Sequence, residues 1–329
     1  MSEIVLGLAT SHSPLLTFDV DNWIEKAVTD TKRKLNMSDG RMISYEALKA
    51  ERGEPYEAET QKAYLEEQRR NCQASLDKLA DALEEAAPDV VVVIGDDHAE
   101  LFSLANMPAV SIFYGDTLLT LPFGEVQEHI PGWKQAALAA YAMDTVHEYP
   151  GAPELAMAAM EGLIQRHIDV GAAAEVKDPR VAGFGHAYGF VAERLFRGRS
   201  YPMLPVLLNT YFPPNVPTSA RCYDIGKALR EVLEGVGDQR IAVVASGGLS
   251  HFVTDAELDL GVLNAMKAGD VAHLRSVPPG ALMSGSSEIL NWIFAAGMLD
   301  KLKVQTADYY PVYRTLAGTG VGMGFAIWR

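Results

Sequence analysis

Five short runs of the chain are almost wholly apolar and rich in β-branched residues: Ile4 to Leu8, Val90 to Ile94, Ala109 to Tyr114, Met203 to Leu208 and Ile241 to Ala245. Unbroken apolar runs of this length suit strands buried on both faces, as in the middle of a parallel sheet, better than strands with one wet face. Between them the period changes. Leu76, Leu79, Ala80, Leu83 and Ala87 recur at three- and four-residue spacing before the Val90 run, and Ile225, Ala228, Leu229 and Val232 do so before the Ile241 run. Helices alternating with buried strands predict an α/β fold, one domain over residues 1–329 with a central mixed, largely parallel sheet flanked by helices.

The stretch at about 17–75 breaks this rhythm. It carries Lys32-Arg33-Lys34, Glu51-Arg52, Glu66-Glu67 and Arg69-Arg70, together with Ser38-Asp39-Gly40 and Gly53-Glu54-Pro55. It reads as a charged helical insertion between the first two strands, serving as a cap over a site, a subunit contact or a solvated excursion. The chain shows neither an internal repeat nor a low-complexity linker.

Composition narrows the partners. With 43 acidic against 28 basic side chains, the formal charge of −15 argues against nucleic acid. It leaves room for a small anionic substrate, because a metal or a few local cations can reverse the potential inside one pocket. Cys72 and Cys222 are too few for a disulfide framework and form no C-x-x-C pair. Met1-Ser2-Glu3 lacks the basic start of a signal peptide, and no apolar run approaches the ~20 residues of a membrane span. These features predict a cytoplasmic protein with no membrane partner.

Three of the eight histidines fall just past the carboxyl ends of predicted strands: His12 in Thr10-Ser11-His12-Ser13-Pro14, His98 in Gly95-Asp96-Asp97-His98, and His251 in Gly247-Gly248-Leu249-Ser250-His251. That edge is where open α/β sheets place their ligands. His186 lies in the Gly-spaced loop Gly183-Phe184-Gly185-His186-Ala187-Tyr188-Gly189, ahead of a helix around Val191 to Phe196, while His129, His147, His167 and His273 read as surface residues. Glu288, in Ser284-Gly285-Ser286-Ser287-Glu288, opens a helix continued by Ile289, Leu290, Trp292 and Ile293. Helix capping alone accounts for a carboxylate there. Two imidazoles and one carboxylate with open positions form the facial triad of non-haem Fe(II) oxygen chemistry, and spacing does not choose Glu288 over Asp96 or Asp97.

Five segments together resemble the class III extradiol ring-cleaving dioxygenases, the group of the protocatechuate 4,5-dioxygenase catalytic subunit. They are Thr10-Ser11-His12-Ser13-Pro14, Asp97-His98-Ala99, Asn209-Thr210-Tyr211-Phe212-Pro213-Pro214, Gly247-Gly248-Leu249-Ser250-His251 and Ser284-Gly285-Ser286-Ser287-Glu288, in the family's order across nearly the whole chain. The resemblance implies that His12, His98 and Glu288 hold Fe(II), that His251 is the acid/base, and that His186 supports it. Gly185-His186-Ala187 departs from the family's usual Asp-His-Gly.

It further implies a small catechol-type aromatic acid and O2 as substrates, both oxygen atoms entering the opened ring, with no organic cofactor. A neutral histidine with an ordinary pKa of ~6.5 can take a hydroxyl proton and return it later. Asp97 is a candidate to orient a ligating histidine. Protocatechuate, gallate or 3-O-methylgallate would need polar or cationic contacts for the ring carboxylate, with Arg221, Arg314, Thr315, Thr319 and Tyr211 as candidates. The long insertion resembles the gallate and 3-O-methylgallate branch, and a homodimer is the family-level expectation. Two other readings stand beside this one: a Zn²⁺-dependent hydrolase with the same ligands, and a non-catalytic binding relative. A serine hydrolase is disfavoured because no G-x-S-x-G elbow is present.

Overall fold

Val90, Val92 and Ile94 point into one apolar layer and Val91 and Val93 into another, so this strand is buried on both sides. The computed structural model, which describes residues 1–127, 129–130 and 132–329, places it near the centre of a nine-stranded sheet. The strands are β1 (Glu3–Thr10), β2 (Val90–Asp96), β3 (Val110–Phe113), β4 (Gly171–Ala173), β5 (Met203–Leu208), β6 (Arg240–Ser246), β7 (His251–Val253), β8 (Val304–Tyr313) and β9 (Thr319–Trp328). Their spatial order is β7-β9-β1-β6-β2-β5-β3-β4, with β8 along β9.

The four strands β1, β6, β2 and β5 are mutually parallel, and their registers bring Thr10 opposite Ser246, Ala245 opposite Ile94, and Asp96 opposite Leu208. Their carboxyl ends therefore share one edge, the edge that gathers ligands in open α/β sheets. All five predicted strands are present, each within two residues of its expected bounds at either end. The mixed character comes from β3, antiparallel to β5, and from β9, antiparallel to β1.

One layer of helices is formed by α4 (Pro153–Ile164), α6 (Ser219–Glu234) and α8 (Ile289–Met298), which enclose the Val92 side of the sheet. The other includes α3 (Lys62–Ala86) and α5 (His186–Leu195). Leu65, Cys72, Leu76, Leu79 and Leu83 form the buried stripe of α3 at helical spacing. The charged insertion is helical as expected. It contains α1 (Val20–Asp30) and α2 (Tyr45–Arg52), and it runs on into α3. Asp19 caps α1 by accepting the Asn22 N–H at 3.2 Å. Trp23 is fully buried, so α1 is packed against the body of the protein. Among the described residues, no helix is long and apolar enough to cross a membrane. Cys72 and Cys222 are both free and buried.

Candidate metal centre

Two residues past the end of β1, the His12 backbone is held by Tyr141, whose hydroxyl donates to the His12 carbonyl at 2.6 Å. The ring is fixed too. Ser246, the last residue of β6, donates its hydroxyl to the Ala187 carbonyl at 2.7 Å and lies 3.0 Å from His12 Nδ1. A hydroxyl has one proton, so Ser246 must accept from Nδ1–H, which leaves the lone pair of a neutral His12 on Nε2. That nitrogen sits 3.1 Å from Glu288 Oε2, itself an acceptor already receiving the Gly248 N–H. Two lone-pair atoms do not face each other across a buried gap without a proton or a cation between them.

A second facing pair repeats the pattern. His98 Nε2 lies 2.8 Å from Asp96 Oδ2, yet neither of these buried atoms has a directed hydrogen bond. Asp96 Oδ1 is occupied by Asn291 Nδ2 at 2.9 Å. The donor atoms of His12, Asp96 and His186 lie within 4.8 Å of one another, as do those of Asp96, His98 and Glu288. Ligand atoms about 2.1 Å from a common ion and at right angles to each other are about 3.0 Å apart. The 2.8 and 3.1 Å separations match that edge. Both carboxylates are held ionised. Burial pushes Asp96 up, and the neighbouring His98, His12 and His186 rings more than reverse it; for Glu288 the His251 and His12 rings do the same. Two buried negative charges among imidazoles fit a divalent cation. The structure thus sets His12 against Glu288, and His98 against Asp96, which the sequence left as an alternative to Glu288; the donor groups that close up are His12, Asp96 and His186, and Asp96, His98 and Glu288, with Asp96 in both.

Glu288 occupies the N-cap position of α8, but its side chain makes no capping hydrogen bond. It ends a 3-10 turn (Ser284–Glu288) that runs into α8, and its carboxylate reaches across to Gly248 instead of to its own helix. Asp97 orients no histidine. Its carboxylate accepts the backbone N–H groups of Glu100, Leu101 and Phe102, shaping the loop after β2. Burial and the Glu100 charge push Asp97 up to about 6.

His186 is the first residue of α5, so this helix starts earlier than its apolar pattern implied. Its ring makes an edge contact with His12 at 4.6 Å between centroids and lies 4.7 Å from His98. Glu100, which the sequence did not single out, accepts from His186 Nδ1 at 2.8 Å and from its backbone N–H at 3.2 Å. Burial works against a charged His186, but Glu100, Asp96 and Glu288 overcome it and raise the ring to about 10. A side chain at residue 185 would remove this contact, since a Cβ there would lie 1.8 Å from Glu100 Oε2. The glycine before His186 is therefore required by close approach.

His251 behaves oppositely. Burial pushes it below the ordinary value, with Glu288 only partly offsetting. Its Nδ1–H donates to the Leu249 carbonyl at 2.7 Å, so the Nε2 lone pair is the one presented 3.9 Å from Glu288. The surroundings of these two histidines thus drive their proton affinities in opposite directions.

These groups face a cavity of about 370 Å³ whose walls include His12, His98, His186, His251, Glu288, Lys26 and Arg314. Of the expected substrate contacts, Arg314 is on this wall, where its Nε donates to Asp30 at 2.7 Å. Thr319 is fully buried and bonded to Asp30 at 3.1 Å and to Thr315 at 2.8 Å. Tyr211 packs its ring 4.7 Å from His98 and lines an adjoining pocket lined also by Pro213, Pro214 and Ser284. Arg221 is exposed on α6. His129, His167 and His273 are exposed as expected, whereas His147 is half-buried against Asp144 at 2.8 Å.

The sequence is similar to known proteins along much of this framework. It is 26% identical over 171 residues to a 2,3-dihydroxyphenylpropionate/2,3-dihydroxicinnamic acid 1,2-dioxygenase of Comamonas testosteroni, covering 52% of this chain and 45% of that one. It is 33% identical over 97 residues to a gallate dioxygenase of Pseudomonas putida, covering 26% of this chain and 28% of that one. The chain thus spans less than half the length of the curated relatives it matches. A family profile described as the catalytic LigB subunit of aromatic ring-opening dioxygenase matches residues 58–324, from the insertion through His98, His186, His251 and Glu288 to the last strand. On that match the chain belongs to the LigB family of aromatic ring-opening dioxygenases.

Proposed function

We propose that the protein is an Fe(II)-dependent extradiol dioxygenase that opens the ring of a catechol-type aromatic acid, with His12, His98 and Glu288 holding the iron and Asp96 beside them. The observation that carries this reading is the facing of two lone-pair atoms, His12 Nε2 and Glu288 Oε2, at the sheet edge, with His98 Nε2 2.8 Å from Asp96 Oδ2 beside them. Held by these residues, Fe(II) would supply Lewis-acid and redox chemistry for a vicinal diol and O2.

The chain's own residues do the rest. His251, neutral and with Nε2 open to the cavity, takes a hydroxyl proton as the diol binds and returns a proton during ring opening. His186, held by Glu100, keeps a proton next to the donor set and fixes the ring positions of His12 and His98 by packing between them. Tyr141 holds the His12 backbone and Ser246 holds its ring in one tautomer, so its metal-facing nitrogen needs no rearrangement. The names of the two relatives, a dihydroxyphenylpropionate and a gallate dioxygenase, support a carboxylated diol as the substrate class.

The test is an oxygen-electrode panel on anaerobically Fe(II)-loaded protein with catechol, protocatechuate, gallate, 3-O-methylgallate and 2,3-dihydroxyphenylpropionate, with product spectra recorded. O2 uptake coupled to a ring-opened product is expected. Absence of uptake across the panel would overturn the dioxygenase reading, and hydrolytic activity with Zn²⁺ instead would favour the hydrolase.

A further inference from the structure

The helix α5 begins without a cap of its own, because its N-cap residue is Gly185 and offers no side chain to the first backbone N–H groups. Glu100 serves that end from another loop. Its Oε1 accepts the His186 backbone N–H at 3.2 Å and the His186 Nδ1–H at 2.8 Å, and its Oε2 accepts the His98 N–H at 3.5 Å. Its own carbonyl accepts the Gly183 N–H at 2.9 Å. The loop that delivers Glu100 is itself wound up by a carboxylate: Asp97 accepts the N–H groups of Glu100, Leu101 and Phe102, and Ala99 takes the left-handed conformation at a φ of 63°. The run Asp97-His98-Ala99-Glu100 thus carries one imidazole to the donor set and a carboxylate to His186.

The volume that this carboxylate fills is informative. A Cβ on Gly185 would lie 1.8 Å from Oε2, 1.9 Å from Cδ and 2.3 Å from Oε1 of Glu100. The Glu100 carboxyl group therefore stands where a side chain of residue 185 would stand, the ordinary place for an acid that caps α5. Capping alone needs only an acceptor for a backbone N–H, and asparagine serves there as well as aspartate. Here the same oxygen also takes the ring proton of His186, whose ring packs against those of His12 and His98 at 4.6 and 4.7 Å between centroids. A charged acceptor holds that proton more strongly than a neutral amide does. We propose that Glu100 is the positioning residue of His186, and that the site requires a carboxylate at this place whichever residue carries it. Supplying it from the His98 loop lets one short segment set both rings. The inference rests on the dioxygenase reading for the part His186 plays in turnover, but not for the contact itself.

Moving the carboxylate tests it. Glu100→Ala, Glu100→Ala with Gly185→Asp, and Glu100→Ala with Gly185→Asn are compared with wild type by two readouts. The first is kcat for O2 uptake by the Fe(II)-loaded protein, with KM and iron content. The second, independent of turnover, is the His186 Nδ1–H resonance in NMR spectra of histidine-labelled, Zn²⁺-loaded protein, assigned by its absence in His186→Gln. Glu100→Ala should lower kcat at least about tenfold, keep its iron, move KM by less than about threefold, and lose the resonance to exchange with water. Adding Gly185→Asp should return kcat to within about threefold of wild type and restore the resonance, whereas Gly185→Asn should leave both near the level of Glu100→Ala. Restoration by asparagine as complete as by aspartate would reduce Glu100 to a helix cap and overturn the proposal, as would no recovery with aspartate. A wild type without a protected resonance overturns it even if a variant fails to fold, and so does an unaltered kcat in Glu100→Gln, which keeps the volume of the side chain. No O2 uptake by any preparation, wild type included, would defeat the dioxygenase reading while the resonance still decides the contact; undiminished uptake by Glu100→Ala would do the reverse.

Discussion

Replacing Asp259 with asparagine probes the loop that presents His251. Asp259, on α7 (Ala256–Ala268), is fully buried; its Oδ1 accepts the Ser250 N–H at 2.8 Å, and its Oδ2 accepts the Ser250 and Tyr309 hydroxyls at 2.6 and 2.8 Å. Ser250 directly precedes His251 in the chain. Burial pushes the Asp259 acid from its ordinary 3.8 up to about 7, against the opposing pull of those three hydrogen bonds. Above its unfolded value and below its folded one, the native protein keeps a proton that the unfolded chain has released. The contribution of Asp259 to stability is therefore complete below about pH 4 and drains away as pH rises through about 7.

Each pH unit in that window is worth about 1.4 kcal/mol, and between pH 5 and pH 8 the loss comes to about 2–3 kcal/mol. Asparagine has no proton to lose. Its one amide oxygen cannot replace both carboxylate oxygens as acceptor for the Ser250 N–H and the two hydroxyls, a mismatch of about 1 kcal/mol for each hydrogen bond lost, and this offset does not depend on pH. Urea unfolding of wild type and Asp259→Asn at pH 5 and pH 8 isolates the effect, since other titrating groups cancel in the difference. The stability of the variant relative to wild type should shift in its favour by about 2–3 kcal/mol on going to pH 8. A difference that stays constant within about 0.5 kcal/mol between the two pH values would refute the reasoning.

His12→Ala, His98→Ala and Glu288→Ala should each lose bound iron on desalting, read by metal analysis, whereas His251→Ala should keep iron and lose most turnover. Gly185→Ala places a Cβ within 1.8 Å of Glu100 Oε2, so it should uncouple Glu100 from His186 and cut turnover by about tenfold or more, as Glu100→Gln should; full activity in both would remove His186 from the mechanism. Cys72 and Cys222 are buried, and burial raises both thiols, so a thiol reagent should label neither in the folded protein and both after unfolding.

The sheet was legible because strands buried on both faces write themselves as unbroken apolar runs, and β2 and β5 are such runs. His12, His98 and His251 were legible because parallel strands deliver their carboxyl ends to a common edge, so a residue just past one end lies near those past the others. The same logic could not find Glu100, whose partner His186 is 86 residues away and reaches it through a loop. The strand β9 was unreadable for a different reason. Thr319-Gly320-Val321-Gly322-Met323-Gly324 lacks the density of side chains that marks a buried strand, because neighbours fill the space: a Cβ on Gly322 would meet Asp259, and one on Gly324 would meet Leu249 and Trp292. Lys26 left a trace that can be recognised afterwards. Val20, Trp23, Lys26 and Asp30 form the buried side of α1, so two charged residues continue the stripe that begins with Val20 and Trp23.

That stripe joins the insertion to the body of the protein. Of the donors proposed for the metal, His12, Asp96 and His98 stand on or just beyond strands whose ladder of hydrogen bonds fixes their backbone, and Glu288 joins them from the turn that leads into α8. The wall facing them comes from a helix in an insertion, joined to the C-terminal strands by the Asp30–Arg314 ion pair across 284 residues of sequence. Both partners of that pair are nearly inaccessible to solvent, with side-chain exposures of 0% and 2%, so removing either strands the other as an unpaired buried charge. Asp30→Asn should therefore loosen α1 while leaving His12 and His98 where the sheet puts them. Its signature is a lower urea midpoint of unfolding with iron content unchanged. Loss of iron in this variant would show instead that the insertion and the sheet edge form one inseparable unit.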